Sequence, residues 1–280
     1  MQYGFATGFA SDPPFSLDFP LVTEVLRAGF DFPEFPVTGL WKASSCQRAR
    51  LDDILEGRRC PVMCNFFPPS IRLLGKDRDD ERIKRYLGEV LPVLQHLGVG
   101  RIVLGSSGSR MLPEGMEKKE ADEQFATTLR EVVLPACKGM ALVLLEPLNR
   151  QECNYGNTVQ ECAKFVRMVD DPGFQLMIDL YHMERNGESL SVIKDVLPLM
   201  HHVHIAQTDR ILPGTHFSPY LEKGIRFLQQ AGYDESISYE TVNGNLGLAL
   251  RTLSKAWESG KGRTISPGLV GLVDKRASEF

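Results

Sequence analysis

A chain of 280 residues is long enough for one large domain or two small ones, and 42% hydrophobic with 24% charged residues is ordinary for a globular protein. The formal net charge is −4 and no long basic run exists, so a nucleic-acid partner has no electrostatic support. No stretch approaches the roughly 20 apolar residues of a membrane span, and the start MQYGFATGFASDPPFS lacks the basic region and apolar run of a signal peptide, so a cytoplasmic protein is expected.

Short apolar runs alternate with longer amphipathic stretches, the pattern of βαβ units around a parallel sheet. The first strand is predicted at 2–6, followed by a helix at 17–28. The second strand, FDFPEF, covers 30–35 and leads into a helix at 44–56. The third, PVMCNF, covers 61–66 and precedes a long helix at 76–97. The charged start of that helix, KDRDDERIKR, reads as a solvated face and not as a binding patch. Strand 101–105 (RIVLG) is followed by helix 117–138, and strand 140–146 (MALVLLE) by helix 158–170. Strand 175–179 (QLMID) leads to a helix at 190–196, and strand 202–206 (HVHIA) to one at 220–231. The last unit pairs strand 236–240 (SISYE) with helix 246–257.

Eight strand–helix units without a composition break predict an α/β fold, a single (β/α)8 TIM barrel over residues 1–258, for which roughly 250 residues suffice. Residues 259–280 are Gly/Ser-rich and then weakly amphipathic, and read as a tail or a capping segment. The alternative, a doubly wound open sheet, usually shows a Gly-rich first turn, whereas this one reads ATGFASDPP. The six cysteines (46, 60, 64, 137, 153 and 162) have no paired spacing beyond Cys60 and Cys64, so reduced, mostly buried thiols are expected.

Four polar residues stand at the ends of the last four strands. Glu146 ends VLLE, Asp179 ends LMID, His204 lies in HVHIA and Glu240 ends ISYE, at intervals of 33, 25 and 36 residues. In a parallel barrel the C-terminal strand ends converge on one mouth, so these side chains can meet around one point. Three carboxylates and one imidazole form an oxygen-rich ligand set. It suits Mn²⁺ best, with Mg²⁺, Co²⁺ and Zn²⁺ as alternatives. Without a cation the carboxylates would repel one another. Glu152, His182 and Arg210 follow these strand ends in βα loops, where substrate contacts are expected. Weaker candidates are Glu34, which ends the second strand at the same mouth and so could touch substrate, and Trp41, Asn65 and His216, in or near mouth loops; a structural or incidental role is the stronger expectation for each. By strand alternation, one of His201 and His202 faces outward.

These motifs resemble the xylose isomerase-like TIM barrels, and within them the ketose 3-epimerases that act on tagatose and psicose. The resemblance rests on Glu146-Pro-Leu-Asn-Arg-Gln-Glu152, on Asp179-Leu-Tyr-His182, on His202-Val-His204 with Arg210 beyond it, and on the strand ending in Glu240. It covers about half the chain by motif and all of it by order of elements. It implies that Glu146, Asp179, His204 and Glu240 hold the metal and that Glu152, His182 and Arg210 hold the sugar. It also implies that Glu146 and Glu240 flank the reacting carbon, one removing a proton and the other returning one through a metal-bound enediolate. Two features depart from the epimerase pattern. Ala206-Gln207 stands where those enzymes often have Gly-Glu. Gly105-Ser-Ser-Gly-Ser-Arg110 carries no aromatic to stack on a sugar, and Ser106, Ser107 and Arg110 offer an anion site or an ordinary flexible loop.

The reading is therefore a divalent-metal-dependent isomerase or epimerase of a sugar or polyol derivative, expected to assemble as a homo-oligomer, dimer or tetramer. An inosose dehydratase-like lyase on the same scaffold is the main alternative. An apurinic-site endonuclease would need further His ligands after the third and fourth strands, and a non-catalytic binding protein remains the bland option.

Overall fold

The strands are short apolar runs, and their residues alternate between two environments as strand geometry requires. In the computed structural model they close into one parallel barrel in the order β1 to β8, with β8 pairing back onto β1. The structure describes residues 1–261 other than Ala10, Asp12, Pro13 and Asn243, with the backbone alone for 259–261. The strands are β1 (Gln2–Ala6), β2 (Phe32–Pro36), β3 (Val62–Cys64), β4 (Arg101–Leu104), β5 (Leu142–Leu145), β6 (Phe174–Asp179), β7 (Met200–Ile205) and β8 (Ser236–Tyr239). The predicted barrel and its eight strands are thus present, each within a few residues of its expected place.

The helices carry clear stop and start signals. Asp18, Ser44, Asp79, Thr158 and Ser218 each cap a helix N-terminus with a side-chain oxygen. Residues 76–79 of the charged run lie outside the third-unit helix, Asp80–His96, because the chain enters that helix only at its Asp79 cap; the rest of the run forms its first turns. Among the described residues three short helices went unread in the sequence: Val37–Lys42 directly after β2, Ser107–Arg110 after β4, and Leu180–Asn186 directly after β6. All three are too short for an amphipathic period to show. The last helix runs over Leu246–Lys261, and the tail reading falls mainly on residues outside those described.

Two apolar clusters follow from the alternation. Ile102, Leu104, Val143, Leu145, Leu176, Ile178, Val203, Ile205, Ile237 and Tyr239 point outward into the layer between barrel and helices. Phe32, Val62, Cys64, Val103, Leu144 and Met177 point to the axis and plug the barrel. Phe32 reaches so far across that a Cβ on Gly4 would lie 2.4 Å from its ring, which reserves that β1 position for glycine. Side chains two residues beyond the plug face the axis again, one layer nearer the mouth. Glu34 follows Phe32 in this way, Glu146 follows Leu144 and Asp179 follows Met177. The fold therefore sets a polar layer on an apolar floor.

All six cysteines are free thiols, and all but Cys46 are buried. Among the described residues no helix is long and apolar enough to cross a membrane.

Candidate active site

The four strand-end residues come together at the mouth. His204 Nδ1 lies 3.5 Å from Glu146 Oε1 and 3.9 Å from Glu240 Oε1. Asp179 pairs in register with His204 across β6 and β7. Ligand atoms of Asp179, His204 and Glu240 all lie within 4.8 Å of one another, and so do those of Glu146, Asp179 and His182. Glu146 can reach this position because residue 105 is glycine: a Cβ there would stand 2.1 Å from Glu146 Oε2.

Three atoms of this cluster, Glu146 Oε1, Asp179 Oδ2 and His204 Nδ1, are buried and make no hydrogen bond. Buried polar atoms are ordinarily satisfied, so three orphans aimed into one space mark a missing partner. Oxygen-rich donors with a single imidazole fit a divalent cation of the Mn²⁺ or Mg²⁺ kind. The titration behaviour agrees. Burial pushes the Glu240 carboxyl up to about 7, reinforced by the neighbouring Glu146 and Asp179 carboxylates against the pull of His204 and Arg210. Burial alone would lower His204, but Glu34, Glu146 and Glu240 outweigh it and hold the imidazole well above its usual value. Burial would likewise raise Glu146, yet the contact with His204 brings it below the ordinary carboxylate range.

Glu34 does not face substrate. It is completely buried beneath His204. Its Oε1 lies 2.9 Å from His204 Nε2 and its Oε2 lies 3.2 Å from His202 Nε2. These contacts leave only Nδ1 of His204 for the space between the carboxylates. Burial opposes ionisation of Glu34, but the two imidazoles beside it prevail and hold its carboxyl well below the usual range. Glu34, His202 and His204 could themselves be counted as a ligand triad, but hydrogen bonds already join their atoms. His202 is the inward residue of the pair, and His201 turns out to meet Glu235 at 2.8 Å. Two-residue parity with Phe32 was the available signal for the inward aim of Glu34.

The loop residues form the rim. His182 Nδ1 accepts from the backbone N–H of Asn149 at 3.2 Å, so its ring proton is on Nε2. That nitrogen faces the cluster, 3.6 Å from Asp179 Oδ2 and 3.9 Å from Glu146 Oε1. Arg210 donates to Glu240 Oε2 at 2.8 Å and to Glu152 Oε1 at 3.2 Å. Its guanidinium is sandwiched between Tyr181 and Phe9, 4.0 and 4.3 Å from the ring centres. His182 and Arg210 thus border the strand-end side chains, and Glu152 is joined to them through Arg210.

The segment after β4 is neither an anion site nor a flexible loop. Residues Ser107–Arg110 form a helical turn, and Arg110 is completely buried. Its guanidinium donates to three backbone carbonyls: Gly105 at 2.7 Å, Tyr155 at 2.5 Å and Glu146 at 2.6 Å. Ser106 accepts from the Phe67 backbone at 2.9 Å, and Ser109 donates to the Phe67 and Pro68 carbonyls at 3.1 and 2.9 Å. Arg110 therefore ties β4 to the backbone of Glu146, and its complete burial keeps it from a phosphate in solvent. Nothing in the residue order distinguishes an arginine spent on carbonyls from one facing solvent. The remaining minor candidates are structural too. Trp41 donates to Glu89 at 2.6 Å and packs on Tyr86, Asn65 donates to Thr38 at 3.0 Å, and His216 meets Thr215 at 2.8 Å.

Residues 22–261 match the xylose isomerase-like TIM barrel family. The chain belongs to that family. The D-psicose 3-epimerase of Ruminiclostridium cellulolyticum is 28% identical over 224 residues, 78% of this chain and 76% of that protein. A putative hydroxypyruvate isomerase of Xenopus laevis is 33% identical over 116 residues, 40% of each chain. A crystal structure of D-psicose 3-epimerase with D-tagatose, from Clostridium cellulolyticum H10, superposes with a TM-score of 0.73 at 22% identity, covering 100% of this chain and 98% of that one. The xylose isomerase-like barrel expected from the motifs is thus present, and the isomerase reading agrees with the relatives, which are epimerases and isomerases.

Replacing Arg110 by Met removes three hydrogen bonds from buried carbonyls. Each such orphan typically costs about 1–3 kcal/mol, so unfolding in urea is expected to show a loss of about 3 kcal/mol or more. A variant as stable as the parent would contradict the clamp.

Proposed function

We propose that this chain is a divalent-metal-dependent epimerase or isomerase of a sugar or polyol derivative, and that Glu146, Asp179, His204 and Glu240 hold the cation. The observation that carries the reading is the set of three buried, unpartnered ligand atoms in a chain of this family. Three carboxylates with one imidazole favour Mn²⁺ over the thiolate- and imidazole-loving Zn²⁺. When bound, the cation supplies Lewis acidity that polarises a substrate carbonyl and acidifies the adjoining C–H.

The protein's own groups then move the proton. Glu240 and Glu146 are the two carboxylates proposed to take it from one face of the carbon and return it on the other. Arg210 holds Glu240 Oε2, which steadies the carboxylate and leaves Oε1 towards the cluster. His182 presents an Nε2 proton to a substrate oxygen, fixed in that tautomer by the Asn149 backbone. Glu152, paired with Arg210 through Oε1, offers its second oxygen to a substrate hydroxyl. The packed segment behind Glu146 keeps that carboxylate in register with the other three.

Incubation with Mn²⁺ in D2O and a panel of ketoses, inososes and hydroxypyruvate is expected to label the carbon next to the carbonyl of one substrate. Glu146→Gln and Glu240→Gln should each reduce exchange by about a thousandfold or more, the scale of lost general-base catalysis combined with impaired cation binding. Absence of label in every substrate would sink the reading, and a product lighter by one water would reassign the reaction to a lyase.

Cation binding must also displace the protons that Glu240 and His204 Nδ1 hold in the metal-free site. Both groups are shifted upward, so protonation competes with the cation at lower pH. Mn²⁺ affinity measured by calorimetry is expected to rise by about tenfold or more from about pH 6 to about pH 8. A flat or falling affinity would contradict this ligand set.

A further inference from the structure

The barrel axis below His204 carries polar groups that the proposed proton transfer does not use. Arg101, at the start of β4, donates through Nη2 to Glu235 at 2.7 Å and through Nη1 to Ser236 Oγ at 3.4 Å. Ser236 Oγ lies 2.7 Å from His202 Nδ1. His202 Nε2 lies 3.2 Å from Glu34 Oε2, and Glu34 Oε1 lies 2.9 Å from His204 Nε2. Ser236, His202, Glu34 and His204 all have no solvent exposure. An unbroken file of hydrogen bonds therefore joins the floor of the barrel to its mouth.

We propose that the donors of this file converge on Glu34, from Arg101 through Ser236 and His202 on one side and from His204 on the other, and that this keeps a proton of His204 on Nε2, so that Nδ1 is the nitrogen turned to Glu146, Asp179 and Glu240. The direction follows from which groups can donate. A guanidinium has donors and no acceptor, so Ser236 Oγ accepts from Arg101, and its own proton goes to His202 Nδ1 because a neutral His202 ring spends its one proton at Nε2, on the Glu34 carboxylate. His202 then carries its own proton on Nε2 and gives it to Glu34. A carboxylate has acceptors only, so Glu34 receives one proton from each imidazole, and His204 must donate from Nε2. The opposite tautomer of His202 would set a bare Nε2 against the Glu34 carboxylate, two acceptors facing each other in a buried site. Glu34 acts as a positioning residue: it touches neither substrate nor cation, yet it selects which nitrogen of His204 is available.

The role of the Nδ1 lone pair as a ligand rests on the metal-site reading above, whereas the direction of the file does not. Long-range 15N–1H spectra of histidine-labelled protein, without metal and with diamagnetic Zn²⁺, read both. His202 is expected to be protonated at Nε2 and bare at Nδ1 in each sample, and Zn²⁺-loaded His204 to keep its Nε2 proton. A proton on His202 Nδ1, or Zn²⁺ on His204 Nε2, overturns the proposal. Glu34→Gln replaces two acceptors by one acceptor and one donor, and cannot receive from both rings. Its Mn²⁺ affinity is expected to fall about 10–100-fold, the usual effect of losing a partner behind a metal-bound histidine. Glu34→Asp keeps both acceptors and should recover part of the loss. Wild-type affinity in Glu34→Gln, whatever its melting temperature, also overturns the proposal. If Glu34→Gln does not fold, the wild-type tautomers decide alone. Wild-type protein that binds neither ion but shows the expected His202 tautomer refutes the metal-site reading and leaves the file standing.

Discussion

The carboxylate of Glu34 is a charge at the centre of a barrel, fully removed from water and balanced by two imidazoles. Transfer of an ion from water into a protein interior costs several kcal/mol unless its lone pairs are met. Here both oxygens are met, by residues 168 and 170 positions away in the chain. That pairing exists only once β2 and β7 have been brought across the axis by closure of the sheet. The aim of His204, and with it the shape of the mouth cluster, depends on this one buried contact.

Around it the chain uses two further restraints that are easy to overlook. Gly105 leaves room for the Glu146 carboxylate, and Arg110 grips the carbonyl of the same residue. An arginine inside a protein is ordinarily matched to an acid. This one spends its fork on three carbonyls of three different segments, which couples β4, β5 and the 155 region into one rigid wall. The carboxylate is thereby held from its backbone side as well as by its neighbours at the mouth. Preorganisation of this kind is what positions a proton-transfer group without cost at the moment of reaction.

The rim follows the same logic with softer forces. Arg210 lies between two aromatic rings and two carboxylates, which fixes a long side chain that would otherwise lose much entropy on ordering. Its neighbours Glu240 and Glu152 are drawn to the same side of the mouth. The four strand-end residues and the three loop residues therefore occupy one continuous polar surface above the apolar plug formed by Phe32, Leu144, Met177 and their neighbours.

Periodicity alone carried much of this. Alternating apolar runs and amphipathic stretches determine eight strand–helix units, and a polar residue ending each of the last four strands determines that Glu146, Asp179, His204 and Glu240 share a mouth, because parallel strands end on one side of a barrel. The short helices Val37–Lys42 and Leu180–Asn186 escaped because they hold too few turns for a period. Glu34 was legible as a strand-end residue but not as the partner of two histidines, since its reach across the axis depends on barrel closure and register. Arg110 was misleading, because an Arg in a Ser/Gly loop has the same local sequence whether it meets solvent or three carbonyls. Which atoms are left unpartnered, which nitrogen of His204 is free and which arginine is already spent are contacts between segments distant in the chain, so only the tertiary structure decides them.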